Sequence, residues 1–323
     1  MSVRSDDTGW SVGLDIGGTK TLAVLLDPTG TPGDQVRLST ERGAQAVVDT
    51  AACAAADLLT RAGLGGDDLA GIGIGLPGIV DPATGQVEHA VNLGIDSGVP
   101  LADRVAEALT HRLNGHGGTR PVRVRLENDL NAAALGAAHL RGEDDGDLAF
   151  LALGTGLAAG LVLNGRLHRG VGGAAGEIGH LVYMPGGRPC PCGQRGCLEQ
   201  YASGSALSAA WPGPGDRPAP VALFEAAAAG DPAALAIRDE FAEAVAAAVR
   251  VLLLTTDVAH VVIGGGVSEL GAPLLQVVHD RLELSARESP FLASMRMAER
   301  VDLAPHGVPV GAVGAALVGR KEP

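Results

Sequence analysis

Three of the chain's four cysteines, Cys190, Cys192 and Cys197, fall within eight residues in the stretch GRPCPCGQRGCLEQ, and His180 stands ten residues upstream. Zinc takes four sulfur or nitrogen donors in a tetrahedron, and Cys3His is a standard structural set. Pro and Gly between the cysteines permit the tight turns such a set needs. A disulfide would leave one cysteine over, and the CxxC spacing of a redox pair is missing. His180, Cys190, Cys192 and Cys197 are therefore expected to hold structural Zn2+. Cys53 lies in an Ala-rich helical stretch and is expected to be a small buried residue.

Two carboxylates stand where strands end. Asp15 lies two residues before Gly17, on the strand entering a glycine turn. There it can hold Mg2+, directly or through water, or simply stabilise the turn. Asp129 lies where an alternating pattern gives way to a helical period near Asn128. As a plain N-cap it would accept from the first-turn N–H groups. Kept ionised by the helix N-terminus, it could instead orient a sugar hydroxyl and take its proton during phosphoryl transfer. Asn128 beside it offers a donor and an acceptor for paired sugar hydroxyls.

Glycine turns supply a third kind of chemistry. Gly17-Gly18-Thr19-Lys20 and Gly154-Thr155-Gly156 each join two apolar strands, and Gly264-Gly265-Gly266 follows a third. Backbone N–H groups in such turns form concave anion sites. Glycine lets the main chain approach phosphate, and threonine adds a hydroxyl donor. The pattern is neither a P-loop nor a Rossmann fingerprint. Repeated in matching contexts, it points to a nucleotide held between two lobes.

The elements that must position these residues alternate between strand and helix. Residues 10–30 read as strand, tight turn, strand; 44–61 as a helix; 69–78 as a buried strand ending in a loop; 101–113 as a helix before the Gly-rich NGHGGT. A strand then delivers Glu127, Asn128 and Asp129 to a helix. Residues 148–167 repeat the first hairpin about 137 residues later, which suggests two related lobes. After the cysteine block and the loop WPGPGDRPAP come a long helix over about 232–255, a buried strand into the triple glycine, and an apolar tail helix that could pack on the first lobe. The fold class is α/β. No linker shows in the composition. The lobes are placed at 1–126 plus 305–323 (small, N-terminal) and 127–304 (large, with the zinc loop).

The 323 residues suffice for two cores. A formal charge of −13 gives no support to a nucleic-acid or anionic-membrane surface. The most basic stretch, RPVRVR, places Arg123 and Arg125 on one face of an edge or solvated strand. The N-terminus shows no secretion signal, and no run is apolar enough to span a bilayer. A soluble, cytoplasmic protein is expected.

These motifs together resemble the ROK family (repressors, open reading frames and sugar kinases) of the actin-like ATPase superfamily. DIGGTK, LPGIVD, ENDLNAAALG, LGTG, GGAAGEIGH, CPCGQRGCLEQYASG and VVIGGGV follow the family's order over about residues 11–320. The resemblance implies a two-lobed hexokinase/ribonuclease H-like fold with a ligand cleft between the lobes. It implies ATP-dependent transfer of the γ-phosphate to the 6-hydroxyl of a hexose, glucose being the commonest choice. N-acetylhexosamine or amino-sugar kinases and non-catalytic sugar sensors are the alternatives. Asp129 would be the catalytic base. Gly78, Asn128, Glu177, His180 and Glu199 would meet the sugar, and Asp15, Gly17, Gly18, Thr19, Lys20, Gly154, Thr155, Gly156, Gly265 and Gly266 would serve ATP and Mg2+. The zinc block would act as one wall of the sugar site, so zinc removal is expected to impair sugar binding more than ATP binding. A homodimer or homotetramer is usual for the family. Repressors of the family carry an N-terminal helix-turn-helix, for which about ten residues leave no room. One departure stands out: Ala158 replaces a customary glycine, which would be costly if φ there is positive.

Overall fold

The computed structural model describes residues 9–113, 121–142, 146–212 and 217–320. The N-terminal eight residues, NGHGGT, Arg120 of the basic stretch and the centre of WPGPGDRPAP lie outside the described residues.

The first unit is a five-stranded sheet. β1 (Trp10–Ile16) and β2 (Lys20–Leu26) form the expected hairpin, and β3 (Pro32–Ser39), which the sequence pattern did not show, extends it. β4 (Leu69–Leu76) lies parallel to β1, after helix α1 (Ala44–Ala62). A small hairpin of β5 (Ile79–Asp81) and β6 (Gln86–Glu88) and helix α2 (Leu101–Leu113) lead to β7 (Val124–Asn128), parallel to β4. The order is β3-β2-β1-β4-β7, so the Arg-bearing strand is an edge strand. Helix α3 (Asp129–Arg141) starts at the next residue.

Strand alternation sorts the two faces. Val12, Leu14 and Ile16 of β1 and Ile72, Ile74 and Leu76 of β4 join one core with the apolar faces of α1 and α2. The intervening positions are Gly13, Gly71 and Gly73. A Cβ at Gly13 or Gly73 would stand 1.8 or 1.7 Å from the carbonyls of Ala312 and Ala315. The glycines thus admit the backbone of the tail helix, α9 (Val310–Arg320), directly onto the sheet. That helix crosses α3 equally closely: a Cβ at Gly314 would lie 1.6 Å from the carbonyl of Ala132. Arg320 pins its end, Nε donating to Ser11 Oγ at 2.7 Å. The expectation that the tail packs on the first lobe holds.

The second unit repeats the plan. β8 (Leu148–Leu153), β9 (Leu157–Leu163) and β10 (Arg166–Leu167) run antiparallel in succession. After the cysteine block come α4 (Gly204–Ala210), α5 (Ala219–Ala228) and the long α6 (Pro232–Thr256). β11 (His260–Gly264) lies parallel to β8, and α7 (Ala272–Glu288) and α8 (Pro290–Ser294) precede β12 (Val301–Leu303), parallel to β11. The order β10-β9-β8-β11-β12 matches the first sheet strand for strand. Phe241, Val245, Val249 and Leu252 of α6 pack with Leu151, Leu153 and Ile263 in its core.

The division of the chain differs from the expected one. The compact units are 1–144 with 307–323, and 145–306, of nearly equal length. The boundary after residue 126 fails because β7 hydrogen-bonds to β4 and α3 interlocks with α9. Cys53 also departs from expectation: it is exposed, not buried. Its neighbours in α1 are alanines, several of them buried, so the sequence carried no apolar contrast to fix which face the cysteine takes. Among the described residues no single helix is long and apolar enough to cross a membrane.

Candidate active site and metal centre

In the first unit the candidate residues collect at the C-terminal ends of three parallel strands, where open α/β sheets bind ligands. The register aligns Asp15 with Gly75 and Gly75 with Glu127. The first turn of α3 lies close on Gly75: a Cβ there would stand 3.2 Å from the Cβ of Ala132 and 3.6 Å from the Cα of Asp129. Asp15 and Asp129 are thereby brought close enough to interact. Burial first, and then the negative charge of Asp129, push the Asp15 carboxyl up to about 6, against the pull of Lys20. The carboxylate lies against α9, where a Cβ at Gly311 would stand 2.8 Å from Asp15 Oδ2.

The strand-to-helix junction forms as expected, with one change of roles. Asn128 is the N-cap of α3; its Oδ1 accepts from the N–H groups of Leu130 at 3.0 Å and Asn131 at 3.4 Å. Asp129 is the first helical residue, and its Oδ1 also accepts from Leu130 N at 3.0 Å. Asn128 is thus left to present its amide N–H groups, not a donor and acceptor together. Glu127, only 1% exposed, supports the pair: its Oε1 accepts from Asn128 N at 3.0 Å and from Asn131 Nδ2 at 2.9 Å. Sequence reading placed Glu127 in the delivered trio but gave it and Asn131 no role. The signal was there in a carboxylate directly after apolar Leu126 on the strand, followed four residues later by an amide on the first turn of the helix.

The first glycine turn closes with Gly17 N donating to Lys20 O at 3.0 Å. Neither Gly17 nor Gly18 takes a positive φ. Thr19 and Lys20 are exposed. Gly78 has φ 106°, and a Cβ there would strike the carbonyl of Glu88 at 2.8 Å, so glycine is required. It lies two residues past Leu76, which pairs with Asn128.

In the second unit the metal candidates converge. The donor atoms of His180, Cys190, Cys192 and Cys197 all lie within 4.8 Å of one another. Cys192 Sγ and Cys197 Sγ are 3.6 Å apart, and His180 Nδ1 is 3.9 Å from Cys190 Sγ. A zinc tetrahedron with Zn–S of about 2.3 Å has edges of about 3.8 Å, so the donor set fits that ion. Hydrogen bonds from the Gln194 backbone and side chain draw the Cys192 thiol down to about 6, while burial pushes Cys197 up to about 12. A dication would bring all three to thiolate. With Nδ1 turned to the sulfurs, Nε2 of His180 occupies the opposite edge of the ring. Arg188 ties the loop to α6 through Glu240 Oε2 at 2.7 Å, its guanidinium 4.4 Å over the Tyr201 ring.

Glu177 is exposed, just before the single 3-10 turn Ile178–His180. Glu199 lies in a second such turn, Leu198–Gln200, and its Oε2 accepts from Leu157 N at 3.0 Å. The Gly154–Thr155–Gly156 turn joins β8 to β9. Gly265, φ 88°, passes so near β8 that a Cβ would lie 2.6 Å from the carbonyl of Leu153, whereas Gly266 is open. Ala158 sits inside β9 opposite Ala152 without positive φ, so the alanine carries no backbone penalty. The candidate sugar contacts therefore divide: Gly78, Asn128 and Asp129 lie on the first unit, and Glu177, His180 and Glu199 on the second.

The ROK family profile matches residues 11–322. The chain is similar to the glucokinase of Halalkalibacterium halodurans, 34% identical over 297 residues that cover 86% of each chain. It is similar to the N-acetyl-D-glucosamine kinase of Citrobacter koseri, 33% identical over 328 residues, covering 95% of this chain and 98% of that one. Among solved structures it is similar to a ROK family glucokinase from Streptomyces griseus in complex with glucose and AMPPNP. That match has a TM-score of 0.72 at 31% identity and covers 97% of this chain and 99% of the other. The fold is accordingly the α/β actin-like ATPase fold of the hexokinases, and the chain belongs to the ROK family.

Proposed function

We propose that this protein is an ATP-dependent hexose kinase that transfers the γ-phosphate to the 6-hydroxyl, with glucose as the first candidate. The observation that carries the reading is the junction of β7 and α3. There Asp129 stands at a helix N-terminus, which favours its ionised form, and Glu127 and Asn131 fix the backbone that presents it. Asp129 would accept the proton of the attacking hydroxyl. Asn128, its Oδ1 engaged in capping, would donate from Nδ2 to a neighbouring sugar hydroxyl, beside Gly78. Glu177, His180 and Glu199 are the sugar contacts proposed on the second unit.

The turns at Gly17–Gly18–Thr19–Lys20 and Gly154–Thr155–Gly156 would receive phosphates, and Gly265–Gly266 would lie near the nucleoside. Asp15 is the residue that would hold Mg2+. When bound, that ion neutralises charge developing on the transferred phosphoryl oxygens. His180, Cys190, Cys192 and Cys197 would hold Zn2+ in a structural role. Family membership brings with it the expectation of a cytoplasmic homodimer or homotetramer.

A second reading, an N-acetylhexosamine kinase, is favoured by the Citrobacter koseri relative, which matches over more of the chain than the Halalkalibacterium halodurans glucokinase does. ADP release measured across a panel of glucose, mannose, fructose, glucosamine, N-acetylglucosamine and N-acetylmannosamine separates the two. The highest kcat/KM is expected with glucose, and an N-acetylated sugar in first place would select the second reading. Zinc-loaded protein with no turnover on any of them would leave a sugar sensor and end the kinase proposal.

A further inference from the structure

The segment that follows the last cysteine of the metal cluster grips the Gly154–Thr155–Gly156 turn from both sides. Glu199 holds its exit: Oε2 accepts from Leu157 N at 3.0 Å, and a Cβ on Gly156 would lie 2.4 Å from that oxygen. Gly204 holds its entry: its N–H donates to the carbonyl of Gly154 at 2.7 Å, and a Cβ on Gly204 would come within 2.8 Å of the same oxygen. The clamp is seated on the metal loop. Cys197 bridges to Val182, and Leu198 N donates to Leu181 O at 2.9 Å, directly after His180. Gly179, between Ile178 and His180, is pressed so closely on β9 that a Cβ would stand 2.0 Å from the carbonyl of Leu157. It would also lie 3.4 Å from the Cβ of Glu199.

We infer that Glu199 is a positioning residue for the Gly154–Thr155–Gly156 turn, and that the metal-held loop sets the shape of that turn through it. Glu199 then acts on the donor side of the reaction in addition to any hydroxyl it meets. Carboxylate-to-amide bonds are among the stronger hydrogen bonds in proteins, and this one fixes the first residue of β9, two residues past exposed Thr155. The inference rests on the kinase reading only for the identity of what the turn receives. It modifies the expectation that metal loss impairs sugar binding more than ATP binding.

The test compares Glu199→Ala, which deletes the acceptor, with Glu199→Gln, whose amide oxygen can still accept from Leu157 N. Hydrogen exchange over residues 155–159 and the Kd of AMPPNP are read on zinc-loaded protein, and neither readout requires turnover. In Glu199→Ala, exchange is expected to quicken and AMPPNP affinity to fall by about tenfold, the size of a lost charge-assisted bond. In Glu199→Gln, which keeps the acceptor but loses its charge, both should fall between wild type and Glu199→Ala. Chelating the metal from wild-type protein should quicken exchange over the same residues. Should Glu199→Ala fail to fold, Glu199→Asp withdraws the carboxylate by one methylene and carries the same expectation. Unchanged exchange and AMPPNP affinity in Glu199→Ala or Glu199→Asp would overturn the inference, as would unchanged exchange after chelation. Protein that shows the expected exchange but phosphorylates no sugar would end the kinase reading and leave the clamp standing.

Discussion

The two units share one strand order but carry different chemistry at equivalent places. Two residues before the first glycine of the turn stands Asp15 in the first unit and Ala152 in the second. Asp15 pairs with Gly75 of the adjacent parallel strand, and Ala152 pairs with Gly264 in the same way. The fifth strand of the first sheet ends in Glu127-Asn128 and runs into Asp129; that of the second ends in Leu303. The fold thus supplies two sets of strand ends: the first carries Asp15 and Glu127 beside its turn, whereas the second carries Asp302 alone, 4.0 Å from His260 Nδ1 at the start of β11 and away from the turn. The second unit brings its carboxylate to the turn from outside the sheet, on the loop that carries the candidate metal cluster. Strand register can place an acid on a rigid sheet, whereas a loop needs another anchor, and the clustered donors of His180, Cys190, Cys192 and Cys197 would offer one on binding a metal.

The largest expected effect tests whether the acid chemistry belongs to the first unit alone. Asp129→Asn keeps size and loses the base. It should lower kcat by about 10^2- to 10^4-fold, the usual worth of a general base, with far smaller changes in either KM. Steady-state kinetics on the best sugar decide it. Retained turnover would break the contrast between the units.

Asp15 sharpens the contrast through pH. Its folded-state pKa of about 6 lies above the unfolded value of 3.8. The protonated form therefore favours folding: that contribution is complete below about 3.8 and is lost as pH rises through about 6. The loss amounts to about 3 kcal/mol for a shift of this size. Denaturant unfolding of metal-free-buffer samples at pH 4 to 7.5 should show Asp15→Asn gaining stability over wild type as pH rises. A difference independent of pH would show that the carboxylate is not under strain. The matching Ala152→Ser change in the second unit should show no such trend.

How much of this was legible follows from where the signals lie. The hairpins, α1, α2 and the β7–α3 junction were readable because period and turn residues are local. The cysteine set was readable because its ligands lie close in sequence. The unit boundary was not, because β7 belongs to the first sheet only through pairing with β4, a contact made across α2. Gly13, Gly73 and Gly314 read as mere composition until α9 is seen lying on them. Glu199 read as a sugar ligand, since nothing local to it points to Leu157, 42 residues earlier.

That interlock of α9 also belongs to one side of the comparison. Gly314→Ala would thrust a methyl onto the Ala132 carbonyl and within 2.7 Å of Gly136 N, both backbone atoms that cannot swing aside. A loss of about 1–3 kcal/mol of stability is expected from such overpacking. Gly172→Ala in the second unit, where a Cβ meets nothing within 4 Å, should leave the melting temperature unchanged. Equal effects would mean that the tail helix is not seated as described.

The smallest expected effect concerns Ala158, where the second turn departs from the glycine usual in the family. A left-handed backbone there would have made the alanine costly and the phosphate pocket misshapen. The residue instead lies in β9, paired with Ala152, in ordinary extended conformation. Ala158→Gly therefore relieves nothing. It should cost about 0.5–1 kcal/mol of stability through added chain freedom in a strand. AMPPNP affinity should stay within about twofold, because no hydrogen bond of the turn passes through that side chain. Tighter nucleotide binding in Ala158→Gly would show that the methyl itself crowds the donor. The shape of the turn would then be set by β9 as well as by the grip of Glu199 and Gly204.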